Sequence, residues 1–365
     1  MSITLVASTP YDPECLTQAA PVQFTRWAGN PILSPTPANR WESLVTTNPA
    51  AWWDEATQRF LLLYRAAGDE PEHRIRFGLA ASTDGFHFDR LGNDPVFAPI
   101  DSTWEGGCVE DPRVVKINGW HYVTYPVRMY PPGEYWHLPE HPERMRWTRP
   151  EVPPEFPLAA RANHTVTGLA ATQDFKTWHR FGRITDPRLD IRNVVLFPEK
   201  IGGRWWKTIR PLEWVGEAYG CKGPSIWLSS SDDLLAWDEP DTLLLAGRER
   251  WEGEKIGANT PPIRTPDGWL MIYHGKADDQ HYRLGAVLLD LENPRKVLHR
   301  SNRWLLQPEG PGECGGCFYG GVAFPCGLVP RGDTLYLYYG GGDRYCHVAT
   351  ISQSDLLAWL RTCPP

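Results

Sequence analysis

The 365-residue sequence contains no run approaching 18 apolar residues, so no membrane-spanning helix is expected. It has no block of five basic residues, and 37 lysines and arginines face 44 aspartates and glutamates for a net charge of −7. The basic patch of a nucleic-acid-binding protein is therefore missing. A Walker loop and the G-x-S-x-G elbow of a serine hydrolase are also absent. The opening residues, MSITLVASTPYDPECL, have neither the basic n-region nor the apolar core of a secretory leader. Cysteine is sparse: eight residues, at 15, 108, 221, 314, 317, 326, 346 and 363, are scattered through a large chain. That distribution suits reduced, buried thiols in a cytoplasm better than a disulfide framework.

What the chain has in excess is glycine and proline, 33 and 35 residues, together with 18 tryptophans. Breakers spread along the whole length argue against long helices and for many short strands joined by turns. Tryptophan is costly to leave unpacked, and its flat face is a platform for sugar rings or cations. This composition excludes a coiled coil, a helical bundle and a disordered tail protein. It points to a β-rich protein with an aromatic-lined site.

Internal similarity organises the chain. A tag recurs as ASTDGFHF (81–88), AATQDFKTW (170–178), LSSSDDLLAW (228–237), VLLDLENP (287–294) and TISQSDLLAW (350–359). Its acidic residues, Asp84, Asp174, Asp232, Asp290 and Asp355, are spaced 90, 58, 58 and 65 residues apart. Before each tag comes an arm alternating at period two: QRFLLLY (58–64), GWHYVTY (119–125), GRWWKTI (203–209), GWLMIYH (268–274) and DTLYLYY (333–339). The long first gap holds an insertion, residues 128–162, with eight prolines and no strand pattern. Five such repeats predict an all-β fold, a five-bladed β-propeller with a Pro-rich insertion, forming a single catalytic domain over residues 1–365. A β-sandwich with coincidental spacing is the alternative. In a propeller the inner strands converge on a central funnel, where polar residues of different blades meet.

The most unusual local string is Gly106-Gly107-Cys108-Val109-Glu110-Asp111-Pro112-Arg113, just ahead of the strong strand VVKINGWHYVTY. Such charges in a loop commonly pair with one another. Here the apolar flanks would desolvate a carboxylate and raise its pKa towards that of a useful acid. Cations embedded in apolar strands form a second signal: Arg65, Arg192, Arg210, Lys255, His274 and the pair Tyr282-Arg283. Any one of them can snorkel or pair locally. Recurring at the same end of different strands in an acidic protein, they describe a focused anion site suited to phosphate. Two metal-like strings are set aside. His137-Leu138-Pro139-Glu140-His141 matches H-x-x-E-H, but Pro139 and Pro142 deny it the helix that motif needs. Cys314 and Cys317, with Cys326 and Cys346, lack a standard zinc spacing. No metal is expected.

Taken as a set, NPA (48–50), YRA (64–66), STDGFHF (82–88), VEDPR (109–113), VVLFPEKIGGRWW (194–206), EKIGANTPPIRTPDGWLMIYHG (254–275), YRLGAVLLDLENPRKVLHR (282–300) and VAFPCGLV (322–329) resemble glycoside hydrolase family 130. These are five-bladed propellers that include β-mannoside phosphorylases. The resemblance implies an inverting phosphorylase that cleaves a terminal β-mannosyl linkage with phosphate to give α-mannose 1-phosphate and an acceptor sugar. It implies Asp111 as the general acid, relaying its proton through a hydroxyl of the bound mannose. Asn48, Arg65 and Asp343 would hold that mannose, and Arg192, Asn193, Arg210, Lys255, His274 and Tyr282 would bind inorganic phosphate. No cofactor is implied beyond phosphate as co-substrate. The partners are a β-mannoside oligosaccharide and phosphate, without nucleic acid or membrane, and homo-oligomers are common in the family. Departures from the family pattern fall at GANTPP (257–262) and TIRP (208–211).

Two other functions compete with phosphorolysis. An inverting hydrolase needs a second carboxylate, ~6.5–9.5 Å from the acid, to deprotonate water; Glu254 and Glu199 are the candidates. Phosphate is already anionic, needs no such base, and requires cations instead. A sugar-binding propeller without chemistry is the third option, but a neutral sugar does not call for embedded cations. Trp120, Trp205 and Trp269 recur at equivalent blade positions and read as inter-blade packing. Trp104, Trp136 and Trp147 remain as candidates to stack on a sugar.

Overall fold

The computed structural model describes residues 9–101, 103–135 and 164–365. Most of the insertion, with the 137–141 string, Trp136 and Trp147, lies outside the described residues.

Five antiparallel sheets follow one another along the chain, as blades of a β-propeller. Blade one comprises Val45–Asp54, Arg59–Ala67, Arg76–Ser82 and Asp89–Arg90. In blade two the inner strand is split into Cys108–Val109 and Arg113–Ile117, followed by Trp120–Arg128, Val166–Thr172 and His179–Arg183. Blade three holds Ile191–Leu196, Trp205–Pro211, Ile226–Ser231 and Thr242–Leu245. Blade four is split at its inner edge as well, Lys255–Ala258 and Ile263–Thr265, and continues with Gly268–Lys276, Tyr282–Leu289 and Val297–Arg300. Ala323–Arg331, Thr334–Gly341 and Tyr345–Ser352 make blade five, whose outermost strand is Thr25–Arg26, with Thr25 opposite Thr350. The N-terminal stretch thus closes the ring, a link that repeat spacing did not foretell.

Blades pack face to face, so a central strand is apolar on both faces and its alternation sorts residues between two neighbours. Along Gly268–Lys276, Trp269, Met271 and Tyr273 join Val195 and Trp206 of blade three. Leu270 and Ile272 join Leu328 and Leu337 of blade five. Equivalent apolar seams lie between blades five and one, one and two, and two and three. Trp269 is fully buried and meets Phe197 edge-on at 5.8 Å, as expected of an inter-blade residue. Cutting it to alanine removes a large buried surface, at a cost of about 3–5 kcal/mol. Trp120 instead meets His179 of its own blade, 5.3 Å away. All eight cysteines are free thiols.

The recurrent tags are turns in which an aspartate accepts from successive backbone amides. Asp84 takes Phe86 and His87, and Asp174 takes Lys176 and Thr177. In blade three that role falls to Asp233, which takes Leu235 and Ala236. Asp232, the residue expected from spacing, is one place off. Blade five departs altogether: Ser352 caps the helix Gln353–Leu360, with Asp355 in its first turn.

A second repeat had no counterpart in the motif reading. A buried glutamate before the inner strand accepts from a tyrosine of the second strand and pairs with an arginine of the outermost strand. The sets are Glu42 with Tyr64 and Arg90, Glu105 with Tyr125 and Arg180, Glu252 with Tyr273 and Arg300, and Glu313 with Tyr339 and Arg26. In blade three Ile209 stands at the tyrosine position. The next residue on three of these strands is an expected site residue: Arg65 in blade one, Arg210 in blade three and His274 in blade four.

Candidate active site

Each inner strand loses register halfway along. Register shifts fall between Thr47 and Ala50, between Arg192 and Val195 and between Pro325 and Gly327; blades two and four break outright at Asp111 and Asn259. At these breaks Asn48, Asp111 and Asn193 take φ of 44°, 40° and 56°, and Asp343, in the turn after Gly341-Gly342, takes 48°. Aspartate and asparagine tolerate this left-handed conformation better than other non-glycine residues. Such strain gathers where surrounding structure holds a side chain for function.

The residues expected to hold mannose and deliver a proton form one connected cluster. Arg65 Nη1 donates to Asp111 Oδ1 at 2.8 Å, and Asn48 Nδ2 donates to the same oxygen at 2.8 Å. Asn48 Nδ2 also reaches Asp343 Oδ1 at 3.5 Å. Glu110 adds a second carboxylate 3.9 Å from Arg65. Arg113 underpins the cluster: its Nη1 donates to the Asp111 carbonyl at 2.7 Å, and its Nε donates to the Asn259 carbonyl at 3.1 Å. Burial pushes the Asp111 carboxyl up, but Arg65 and Arg113 outweigh it and leave the group below its ordinary value. The sequence argument expected the opposite net shift. Asp343 instead is pushed up to about 6, by burial and then by the neighbouring Asp111 and Glu110, against the pull of Arg65. Of the two carboxyls, Asp343 is therefore the one that keeps its proton to higher pH.

The expected phosphate-binding residues gather on blades three and four. Arg192 lies directly opposite Arg210 across the sheet, and Lys255 directly opposite Lys276. Like charges in those positions repel. Arg192 is held by Asp190, its Nε donating at 2.9 Å and its Nη2 at 3.3 Å. Arg210 is 3% exposed, and its Nε and Nη1 have no hydrogen-bond partner among the described residues. Burial and Arg192 pull its pKa down to about 10. Lys255 makes no ion pair among the described residues; its ammonium lies 5.3 Å from the Tyr282 ring centroid. Burial, Arg210, Lys276 and Arg192 hold it well below the ordinary lysine value. The His274 ring lies 5.3 Å from Tyr282 and 5.1 Å from Phe324. Asn193 reaches the same place, since a Cβ built on Gly257 would meet both its Oδ1 and His274 Cε1 within 3 Å. A pocket of buried, unpaired donors costs stability unless an anion fills it.

All ten expected site residues therefore meet in the funnel. Sequence reasoning missed Asn259, which ties Arg113 to His274, and did not give Glu110 or Arg113 a role. Glu110 and Arg113 stood in the same EDPR string as Asp111, and Asn259 stood in the GANTPP departure. The two candidate hydrolytic bases are engaged elsewhere: Glu199 pairs with Arg264, and Glu254 pairs with Lys276 at 2.9 Å. Trp104 is half-buried: it packs on the seam between blades one and two, an added Cβ on Gly168 would meet its ring at 2.9 Å, and the Arg183 guanidinium lies 5.8 Å from its ring centroid.

A family model described as beta-1,4-mannooligosaccharide phosphorylase matches residues 30–133 and 158–362, and the chain is a member of glycoside hydrolase family 130. It is 33% identical over 340 residues to the 1,2-beta-oligomannan phosphorylase of Thermoanaerobacter sp. strain X514, covering 92% of this chain and 99% of that relative. It is 27% identical over 346 residues to the beta-1,4-mannooligosaccharide phosphorylase of Ruminococcus albus, covering 92% and 90%. Its fold is similar to that of the beta-1,2-mannobiose phosphorylase of Listeria innocua solved with beta-1,2-mannobiose, with a TM-score of 0.71 at 24% identity over 93% and 99% of the two chains.

Proposed function

We propose that this protein is an inverting β-mannoside phosphorylase, with inorganic phosphate as co-substrate and α-mannose 1-phosphate as product. The observation that carries this reading is Asp111, paired with Arg65, beside the desolvated cations Arg210 and Lys255 that form no salt bridge among the described residues. Mannose sits over Asn48, Arg65 and Asp343, and the glycosidic oxygen leaves with a proton delivered through a mannose hydroxyl by Asp111, whose pKa the bound sugar has to raise from its depressed value in the empty site. Phosphate, held by Arg192, Asn193, Arg210, Lys255, His274 and Tyr282, attacks the anomeric carbon from the opposite face. Held there in line, it avoids the entropic cost of a bimolecular encounter. Its charge supplies what the buried donors lack, and no base is needed. The relatives named above, phosphorylases of both β-1,2 and β-1,4 mannosides, support the reaction class.

The test offers β-1,2- and β-1,4-mannobiose and longer oligomers with and without phosphate. Release of mannose 1-phosphate that depends on phosphate is the expected result. Equal turnover in phosphate-free buffer would make the enzyme a hydrolase. Binding of mannosides without any turnover would make it a sugar-binding propeller.

A further inference from the structure

His274 is 1% exposed and uses only one ring nitrogen. Its Nδ1 lies 2.7 Å from Asn259 Oδ1. Asn259 can be oriented in only one way, because its other amide atom lies 2.8 Å from the Pro325 carbonyl, a group that only accepts. That atom is therefore the NH₂, the oxygen faces the imidazole, and His274 Nδ1 must carry the proton. Its Nε2 is buried and has no hydrogen-bond partner among the described residues. Arg210, Lys255, Arg113 and Lys276 surround the ring, and after burial they are what keeps it neutral, well below the ordinary histidine value. Tyr282 and Phe324 flank it and bring no negative charge. A neutral imidazole protonated at Nδ1 offers a lone pair at Nε2, not a hydrogen. Among these donors its Nε2 is an acceptor.

We propose that Asn259 fixes His274 so that its unprotonated Nε2 selects an oxyanion still carrying a proton, accepting hydrogen phosphate or arsenate and rejecting sulfate. The bound anion's hydroxyl donates to Nε2 while its remaining oxygens accept from Arg210, Lys255 and Tyr282. Sulfate has the same size and no proton near neutral pH, so it sets an oxygen lone pair against a nitrogen lone pair. Asn259 is thus a positioning residue, acting through His274. The inference rests on the phosphorylase reading and assigns a specificity device within it.

The test is competition at pH 7 in phosphorolysis. Arsenate is expected to replace phosphate and release free mannose. Sulfate is expected to inhibit about 10- to 100-fold more weakly than the phosphate KM would suggest, the range set by leaving one buried polar group unmatched. In His274→Gln, whose amide can turn to donate, the sulfate-to-phosphate ratio is expected to fall to within a few-fold. Nitrogen-15 spectra of histidine-labelled wild-type protein, with the His274 signal assigned through that variant, give a readout independent of turnover. Nδ1 protonated and Nε2 bare, with and without phosphate, is the expected state. Sulfate competing as well as phosphate, or a doubly protonated His274 in the phosphate complex, overturns the inference while leaving phosphorolysis intact. Turnover indifferent to phosphate overturns both.

Discussion

On the blade-one side of the funnel, Asp111 is met by Arg65 and Asn48 at 2.8 Å each, and its backbone is held by Arg113. On the side of blades three and four, Arg210 has two nitrogens without partners among the described residues, and Lys255 faces Lys276 across the sheet. One half is neutralised within the protein; the other is left incomplete. The first can be rigid before substrate arrives, because its charges are already satisfied. The second is held together by the fold against its own repulsion, and gains only when an anion enters. Arg113 and Asn259 join the two halves, so the two clusters are held at a fixed distance from each other.

The largest expected effect is on the neutralised half. Asp111→Asn keeps the shape and removes the proton donor, so kcat is expected to fall by about 10²–10⁴ in a mannose 1-phosphate assay. Unchanged turnover would take the acid role away from Asp111. Arg65→Met removes the guanidinium that pairs with Asp111 and Glu110 and pulls on Asp343. Unfolding in urea is expected to show a loss of about 3–5 kcal/mol; a loss below 1 kcal/mol would mean the cluster is not held by that charge.

Asp343 sharpens the contrast through pH. Its folded pKa of about 6 lies above the ordinary value, so the folded state binds the proton more tightly than the unfolded chain does. Stability from this group is fully present below about pH 4 and is lost as pH rises through 6, amounting to about 3 kcal/mol. Asp343→Asn is expected to abolish that fall, as measured by urea midpoints between pH 4 and pH 7. An identical profile in both proteins would remove Asp343 from the coupled pair. The smallest effect comes from the incomplete half and has the opposite sign to Arg65→Met. Arg210→Met should leave stability unchanged or raise it by about 1 kcal/mol, while phosphate no longer raises the melting temperature as a ligand of the folded state does. Destabilisation comparable to that of Arg65→Met would mean Arg210 is paired in solution.

Much of this was legible in the sequence, for physical reasons that can be named. Period-two arms such as GWLMIYH are apolar at both parities because each central strand packs against two blades. Embedded cations stand out because a lone charge in an apolar strand is costly, and all six expected anion-site residues lie on the same side of the funnel. Less was readable where a role depends on partners distant in sequence. Arg65 and Asp111 are 46 residues apart, and nothing local announces that this pairing lowers the Asp111 pKa. The closing strand Thr25–Arg26 has only two residues and no periodicity to detect. Asp232 was preferred to Asp233 because adjacent aspartates are indistinguishable until a turn chooses one. The W-E strings at 41–42, 104–105 and 251–252 were a usable signal for the buried glutamates, standing six or seven residues before Asn48, Asp111 and Asn259.

The central claim is that the incomplete half of the funnel seats the nucleophile opposite the acid. It is tested most directly by proton NMR of the first product formed from a β-mannobiose in phosphate buffer. The account predicts α-mannose 1-phosphate, formed in step with phosphate consumption. β-Mannose 1-phosphate, or free mannose appearing at the same rate without phosphate, would contradict it.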